Sequence, residues 1–175
     1  MKYTPFLLLL FFLAAIISCK KDKLTKETQN GANTFSCLID GAIYKPCSEP
    51  PVIGSSNVPS LYGGLSISGN KTWASVGASC YESHVDKNIT LTIDNLTGVG
   101  EYDLPDGTNE ISYSTYDGIK SRQYSSYSTG NGKITITKDD RANTILSGTF
   151  EFEGADNNDP GKIIKISSGR FDIKY

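Results

Sequence analysis

The sequence predicts an all-β chain, an antiparallel meander of about nine or ten strands forming a sandwich or a barrel. Three observations predict it. Beyond residue 34, apolar side chains recur at every second position in run after run, as strands with one face in a core and one in water require. Thr, Ile, Tyr and Ser dominate those runs and suit a pleated surface better than a helix. Asp-Gly, Asn-Gly and Gly-Asn pairs punctuate them, and such pairs accept the backbone conformation of tight hairpin turns.

The elements follow in order. Residues 1–18 read as a leader: Lys2 supplies a positive start, and Phe6 to Ile17 is an unbroken apolar run. At about twelve residues that run is far short of the roughly 20 that span a bilayer, so it is a signal-peptide core. It ends at Ile16-Ile17-Ser18-Cys19, which resembles the lipobox of bacterial lipoproteins. The resemblance implies cleavage before Cys19 and acylation of that residue. Several acyl chains on one residue make an effectively permanent anchor, where a single chain binds reversibly. Lys20, rather than Asp, follows the cysteine; by the sorting pattern of such lipoproteins this implies the outer membrane, on its periplasmic face or at the cell surface.

Residues 20–33 are polar, with Leu24 the one large apolar side chain. They read as a flexible tether with a root-mean-square reach of roughly 20 Å. A single domain is expected over residues 34–175. Its first run alternates Phe35, Cys37 and Ile39, and turns at Asp40-Gly41. Leu61, Leu65 and Ile67 lead to a Gly69-Asn70 turn, and Ile89, Leu91 and Ile93 alternate with Thr90 and Thr92. Asp106-Gly107, Asp117-Gly118 and Asn131-Gly132 are further turn candidates. The sets Ile134/Ile136, Leu146/Phe150/Phe152 and Phe171/Ile173/Tyr175 each alternate with polar residues. Between the last two runs, residues 156–161 read as a loop that Pro160 keeps from continuing as strand.

Three cysteines remain after the anchor. With Asp40-Gly41 as a two-residue turn, Cys37 faces Tyr44, so a 37–47 bridge is out of register. Cys80 is then the partner of either Cys47 or Cys37. Cys47–Cys80 is preferred, because Cys37 alternates with Phe35 and Ile39 as a buried thiol does. Without the leader and its Lys2, 16 basic side chains stand against 19 acidic ones, a net charge of −3. That balance offers no electrostatic basis for nucleic-acid binding.

Four segments, GANTFSCLIDG (residues 31–41), ITLTIDNLTGVGEYDL (89–104), LSGTFEFEG (146–154) and ISSGRFDIKY (166–175), give the chain a further likeness. In their order and spacing it resembles small Bacteroidota outer-membrane lipoproteins whose all-β domain has no assigned function. The resemblance implies a β domain on a lipid anchor and no particular activity.

Catalytic and metal chemistry find little support. His84 is the single histidine. With Cys80, Glu82 and Asp86 it would lie along one strand face, adjacent members about 7 Å apart, too spread for one ion. No Gly-x-Ser-x-Gly elbow is present, and Asp156 to Asp159 lacks the alternating acids of a calcium loop. No metal, no cofactor and no catalytic residues are expected. The candidate binding surface is aromatic: Tyr113, Tyr116, Tyr124 and Tyr127 around the Asp117-Gly118 turn, with Trp73 as a stacking platform. Tyr and Ser together give rigid contact area with adaptable hydrogen bonds, suited to a glycan or protein partner. Against this stands the reading of the tyrosines as cross-strand pairs and Trp73 as core. The expected function is a membrane-anchored, non-catalytic binding or accessory module. The alternatives are a structural or assembly lipoprotein without a small-molecule site, and a lipocalin-like carrier of apolar ligands.

Overall fold

A computed structural model describes residues 23–47, 59–104, 108–129 and 131–175. The leader and Cys19 lie outside the described residues, as does the expected Asp106-Gly107 turn. The described chain is all-β. Its strands are β1 (Thr34–Ile39), β2 (Ala42–Tyr44), β3 (Leu61–Ser68), β4 (Lys71–Glu82), β5 (Val85–Ile93), β6 (Gly100–Asp103), β7 (Glu110–Tyr116), β8 (Ser121–Ser125), β9 (Asn131–Asp140), β10 (Ile145–Asp156) and β11 (Asp159–Lys174). One 3-10 turn, Ser126–Ser128, follows β8.

All strand pairs are antiparallel, in the order β2-β1-β11-β10-β8-β7-β5-β4-β3, with β9 and then β6 branching from β10. The branch arises because β10 is long. Ile145 to Glu153 pair with β9, and Ala155 and Asp156 pair with β8. The sheet therefore folds over at the end of β10 and is not closed into a barrel. Two layers result, β2-β1-β11-β10-β9-β6 and β8-β7-β5-β4-β3, with one core between them. Phe35, Ile134, Ile136, Phe150, Phe171 and Ile173 enter it from the first layer, and Val76, Ile89, Leu91 and Ile111 from the second. Contact between layers is close. A Cβ on Gly63 of β3 would stand 2.4 Å from Ile173 of β11, and the Tyr44 hydroxyl donates across to the Ala78 carbonyl at 2.8 Å.

Of four expected turns, one forms as read and three depart. Asp40 and Gly41 form a two-residue turn with positive φ at both positions (49° and 82°), and Cys37 faces Tyr44. Asp117-Gly118, by contrast, belongs to a four-residue loop, because the Asp117 carboxylate accepts from the Ile119 and Lys120 amides and Tyr116 pairs with Ser121. Asn131-Gly132 is not a turn but the start of β9. Gly132 pairs with Phe152, and any Cβ there would lie 2.5 Å from the Glu151 carbonyl. The loop at residues 156–161 shrinks to Asn157 and Asn158, with Pro160 inside β11. Asp156 pairs with Asp159 and Ala155 with Ile163, so Pro160 falls in a bulge where no ladder donor is required.

Cys47 and Cys80 are joined as a disulfide, their Cα atoms 4.5 Å apart. The Cys47 amide also donates to the Ser79 carbonyl at 3.1 Å. The bond ties the chain after β2 to β4, and so one layer to the other. Cys37 stays free and fully buried, and burial pushes its thiol pKa up to about 12. Closing a loop of sequence separation 33 restricts the unfolded chain, and replacing both bonded cysteines by serine is expected to cost about 3 kcal/mol. Urea midpoints of the two proteins check this; coincident curves would show that the bond does not constrain the unfolded chain.

Residues 23–33 do not hang free as expected of a tether. The segment runs back over the first layer, antiparallel to β1. The Thr25 amide and hydroxyl meet the buried Ser36 hydroxyl at 3.0 and 2.8 Å. The amides of Asn30, Gly31 and Ala32 converge on the Asp172 carboxylate at 2.9 to 3.1 Å. Polar side chains that would face water on β1, β10 and β11 are covered there instead.

Candidate functional site

Strand β4 has two unlike faces. Thr72, Ala74, Val76, Ala78 and Cys80 are buried, while Trp73, Ser75, Gly77, Ser79 and Tyr81 alternate with them on the outside. Register extends the outer row across the layer. Trp73 stands beside Ser66, Gly77 beside Tyr62 and Thr90, Ser79 beside Asn88, and Tyr81 beside Asp86. On β7, Ser112, Ser114 and Tyr116 follow beside Thr90, Asn88 and Asp86. The result is a flat field of Ser, Thr and Asn with aromatic rings at both ends.

Each ring is held in place. The indole Nε1 of Trp73 donates to the Asp94 carboxylate, which also accepts from Lys71 at 3.1 Å. Tyr62, 44 % exposed, lies over Gly77: a Cβ there would stand 2.1 Å from the tyrosine ring. Between these rings a shallow groove of about 320 Å³ is lined by Tyr62, Leu65, Ser66, Trp73, Ser75 and Thr92. At the opposite end, Tyr81 and Tyr116 flank Asp86 from either side. Tyr81 packs edge-on against His84 at 6.4 Å, and the Tyr116 hydroxyl donates to the Gly118 carbonyl at 2.9 Å. From Trp73 to Tyr81 is eight residues of strand, about 27 Å. The field between carries hydroxyls and amides that both donate and accept, and its charged members, Lys71, Asp86, Asp94 and Glu110, stand at its margins.

Of the aromatics expected at a surface, Trp73 and Tyr116 lie on this face. Tyr113 and Tyr124 do not. They stack across β7 and β8 with centroids 5.9 Å apart and are only 7 % and 8 % exposed. Their side is set by Ile111, which shares their parity and is fully buried. Burial raises the Tyr113 hydroxyl pKa to about 12, with nearby Tyr124 adding to the shift. Tyr127 is exposed but sits on the 3-10 turn beyond β8, off the sheet. Tyr62 and Tyr81 complete the face and were not anticipated; the signal for Tyr81 was its even spacing from Trp73 through Ser75 and Ser79.

His84 occupies a tight turn with Ser83, both at positive φ (54° and 65°). Among the described residues no group of three or more His, Cys, Asp or Glu is placed to hold a metal ion. At the Asp156 loop the carboxylate accepts from Arg122 and from the Asn158 amide, both at 2.9 Å. The Asn158 amide, working against burial and helped by Arg122, holds the Asp156 pKa below the usual carboxylate range.

In comparisons with known proteins, the family described as Domain of unknown function (DUF6252) matches residues 65–172. No match was found among curated proteins or among solved structures.

Proposed function

We propose, for a chain that belongs to the DUF6252 family, the role of a lipid-anchored envelope protein whose domain is a non-catalytic binding module for a neutral glycan. The observation that supports it is the outer face of β3, β4, β5 and β7, with Trp73 at one end, Tyr81 and Tyr116 at the other, and Tyr62 over Gly77 midway between them. Sugar rings present apolar faces ringed by hydroxyls. Aromatic side chains offer the complementary apolar surface, and Ser, Thr and Asn satisfy hydroxyls of either hydrogen-bonding sense. A field with its charges at the margins suits an uncharged chain better than an anionic one.

The anchored half of the proposal rests on the sequence: the apolar leader, Cys19 after a small residue, and the likeness to small Bacteroidota lipoproteins. Together they support acylation of Cys19 and residence at the outer membrane, facing the periplasm or the cell surface.

The test is binding of the mature chain to an array of neutral polysaccharides, followed by calorimetry with the best ligand. Trp73→Ala and Tyr81→Ala are each expected to weaken binding about tenfold, corresponding to ~1.4 kcal/mol, while circular dichroism stays unchanged. Tyr127→Ala, off the face, should bind as the parent does. Parental affinity in both folded face variants would reject the site, and an array without a neutral-glycan signal would reject the ligand class.

A further inference from the structure

The segment before β1 is docked at both of its ends. At one end Thr25 meets the Ser36 hydroxyl, and Arg170 donates to the Thr25 carbonyl at 3.1 Å while approaching Glu27 at 3.5 Å. At the other, Thr28, Asn30, Gly31 and Ala32 all donate to Asp172 at 2.7 to 3.1 Å, and Ser147 adds a fifth donor at 2.7 Å. Ser36, Ser147 and Asp172 are at most 1 % exposed. A carboxylate given five uncharged donors is a fixed attachment point for backbone.

The position of this attachment has a geometric consequence. The segment covers the outer face of the β1-β11-β10 layer, and the aromatic-ended face is the outer face of the other layer, across the core. Cys19 precedes Thr25 by six residues. Six residues span at most about 21 Å, against about 50 Å for a free segment of fourteen. Two layers packed face to face are about 10 Å apart before their outer side chains are added, and a route from Thr25 round the sheet edge must add that thickness, so the short link keeps Cys19 nearer the covered layer than the far face.

We propose that Thr25 to Asn33 form a clasp that orients the domain on its membrane, with the covered layer toward the lipid surface and the Trp73–Tyr81 face held away from it. The proposal rests on the anchoring at Cys19 argued above and is independent of the glycan reading. The clasp converts a swinging tether into a short stalk, and presents one face outward.

The test uses the mature chain from Cys19 onward, coupled through that thiol to maleimide lipid in phosphatidylethanolamine–phosphatidylglycerol vesicles. Cys37 is buried and Cys47 and Cys80 are bonded to each other, which directs coupling to Cys19. A donor dye is installed through azidophenylalanine at Glu151 on the covered layer or at Ser114 on the far face, with acceptor dye in the bilayer. Transfer is expected to be at least twofold greater from position 151 than from 114. Combining Thr25→Ala and Thr28→Ala with Asp172→Asn, which also removes the charge that holds the backbone amides of Asn30, Gly31 and Ala32, should erase that difference and speed tryptic cleavage at Lys26, with the parental circular dichroism kept. Equal transfer from both positions in the parent, or an unchanged difference after Lys26 has become cleavable, would overturn the clasp. A native protein isolated without acyl mass at Cys19 would instead overturn the anchoring and the orientation with it, while resistance at Lys26 reports on the docked segment separately.

Discussion

Replacing Asp172 with alanine is expected to lower the unfolding free energy by about 4 kcal/mol, because hydrogen bonds to a charged group contribute ~1.5–3 kcal/mol each and the loss is partly returned by the freed segment. Five donors lose their acceptor at once: the Thr28 and Ser147 hydroxyls and the amides of Asn30, Gly31 and Ala32. Ser147 is fully buried and has no ready substitute. The same carboxylate gives the stability a pH dependence. Burial alone would raise its pKa; the donors Thr28, Ala32, Ser147 and Gly31 outweigh burial and hold it at about 2. An unfolded aspartate titrates near ~3.9. With the folded value depressed, the stabilisation is complete above the unfolded pKa and disappears as pH falls through about 2. Just under two pKa units corresponds to about 2.5 kcal/mol. Asp117, Asp140 and Asp156 also titrate below the usual carboxylate range, so the difference between parent and variant, rather than the parent's curve, isolates Asp172. Urea midpoints at pH 7, 4, 3 and 2 should show the gap between parent and Asp172→Asn closing on acidification. A constant gap over that range would mean that the charge of Asp172 does not carry the stabilisation.

Asp172 also shows where sequence reasoning stops. Its parity in Phe171-Asp172-Ile173 places it on the outer side of β11, and that is where it lies. What no periodicity conveys is that a polar segment 140 positions earlier returns to cover it. Residues 23–33 have no apolar stripe to bury, and the clasp is held by hydrogen bonds to backbone amides, which leave no pattern in side-chain hydropathy. Period two served best where a strand has a core on one side: Ile89, Leu91 and Ile93 are at most 3 % exposed, as their alternation requires. It failed at a sheet margin, where Ile67 follows the same pattern and is 68 % exposed.

Turn chemistry divided in a similar way. Asp40-Gly41 and Gly69-Asn70 stand between strands because both can adopt the needed backbone. Ser83 and His84 adopt the same conformation with no glycine; there the cross-strand pairs of β4 and β5 impose it. Gly132 carries the opposite lesson. A glycine after asparagine reads as a hairpin, but here it clears space for the Glu151 and Phe152 backbone. At the candidate site, Tyr113, Tyr116, Tyr124 and Tyr127 cluster in sequence, yet only strand parity separates Tyr116, 47 % exposed, from Tyr113 and Tyr124 in the core. Tyr62 and Tyr81 come to this face through the β3-β4 and β4-β5 registers, which single-strand patterns do not specify.

Removing the last six residues, Arg170 to Tyr175, is expected to abolish folding altogether. Those residues close β11 between two partners. Thr34, Phe35 and Ser36 of β1 pair with Asp172, Phe171 and Arg170 on one side; Ile145 to Thr149 of β10 pair with Lys174 to Arg170 on the other. Phe171 and Ile173 are 3 % and 2 % exposed, and losses of this kind cost ~3–5 kcal/mol for a phenylalanine and ~2–5 for an isoleucine. Phe150 would lose the ring of Phe171, 6.5 Å away, and the clasp would lose Asp172. The freed edges of β1 and β10 would also be left with unpaired ladder groups along the gap that β11 fills. Against a total stability of about 5–15 kcal/mol for a domain, the remaining sheet has no margin. Phe171→Ala alone is the control: it should stay folded with a melting temperature lowered by an amount matching a single cavity. The truncated chain should show no cooperative thermal transition and no fixed near-ultraviolet dichroism. A truncated protein that melts cooperatively near the parental temperature would mean that the core closes without β11 and that the topology drawn from its two ladders is wrong.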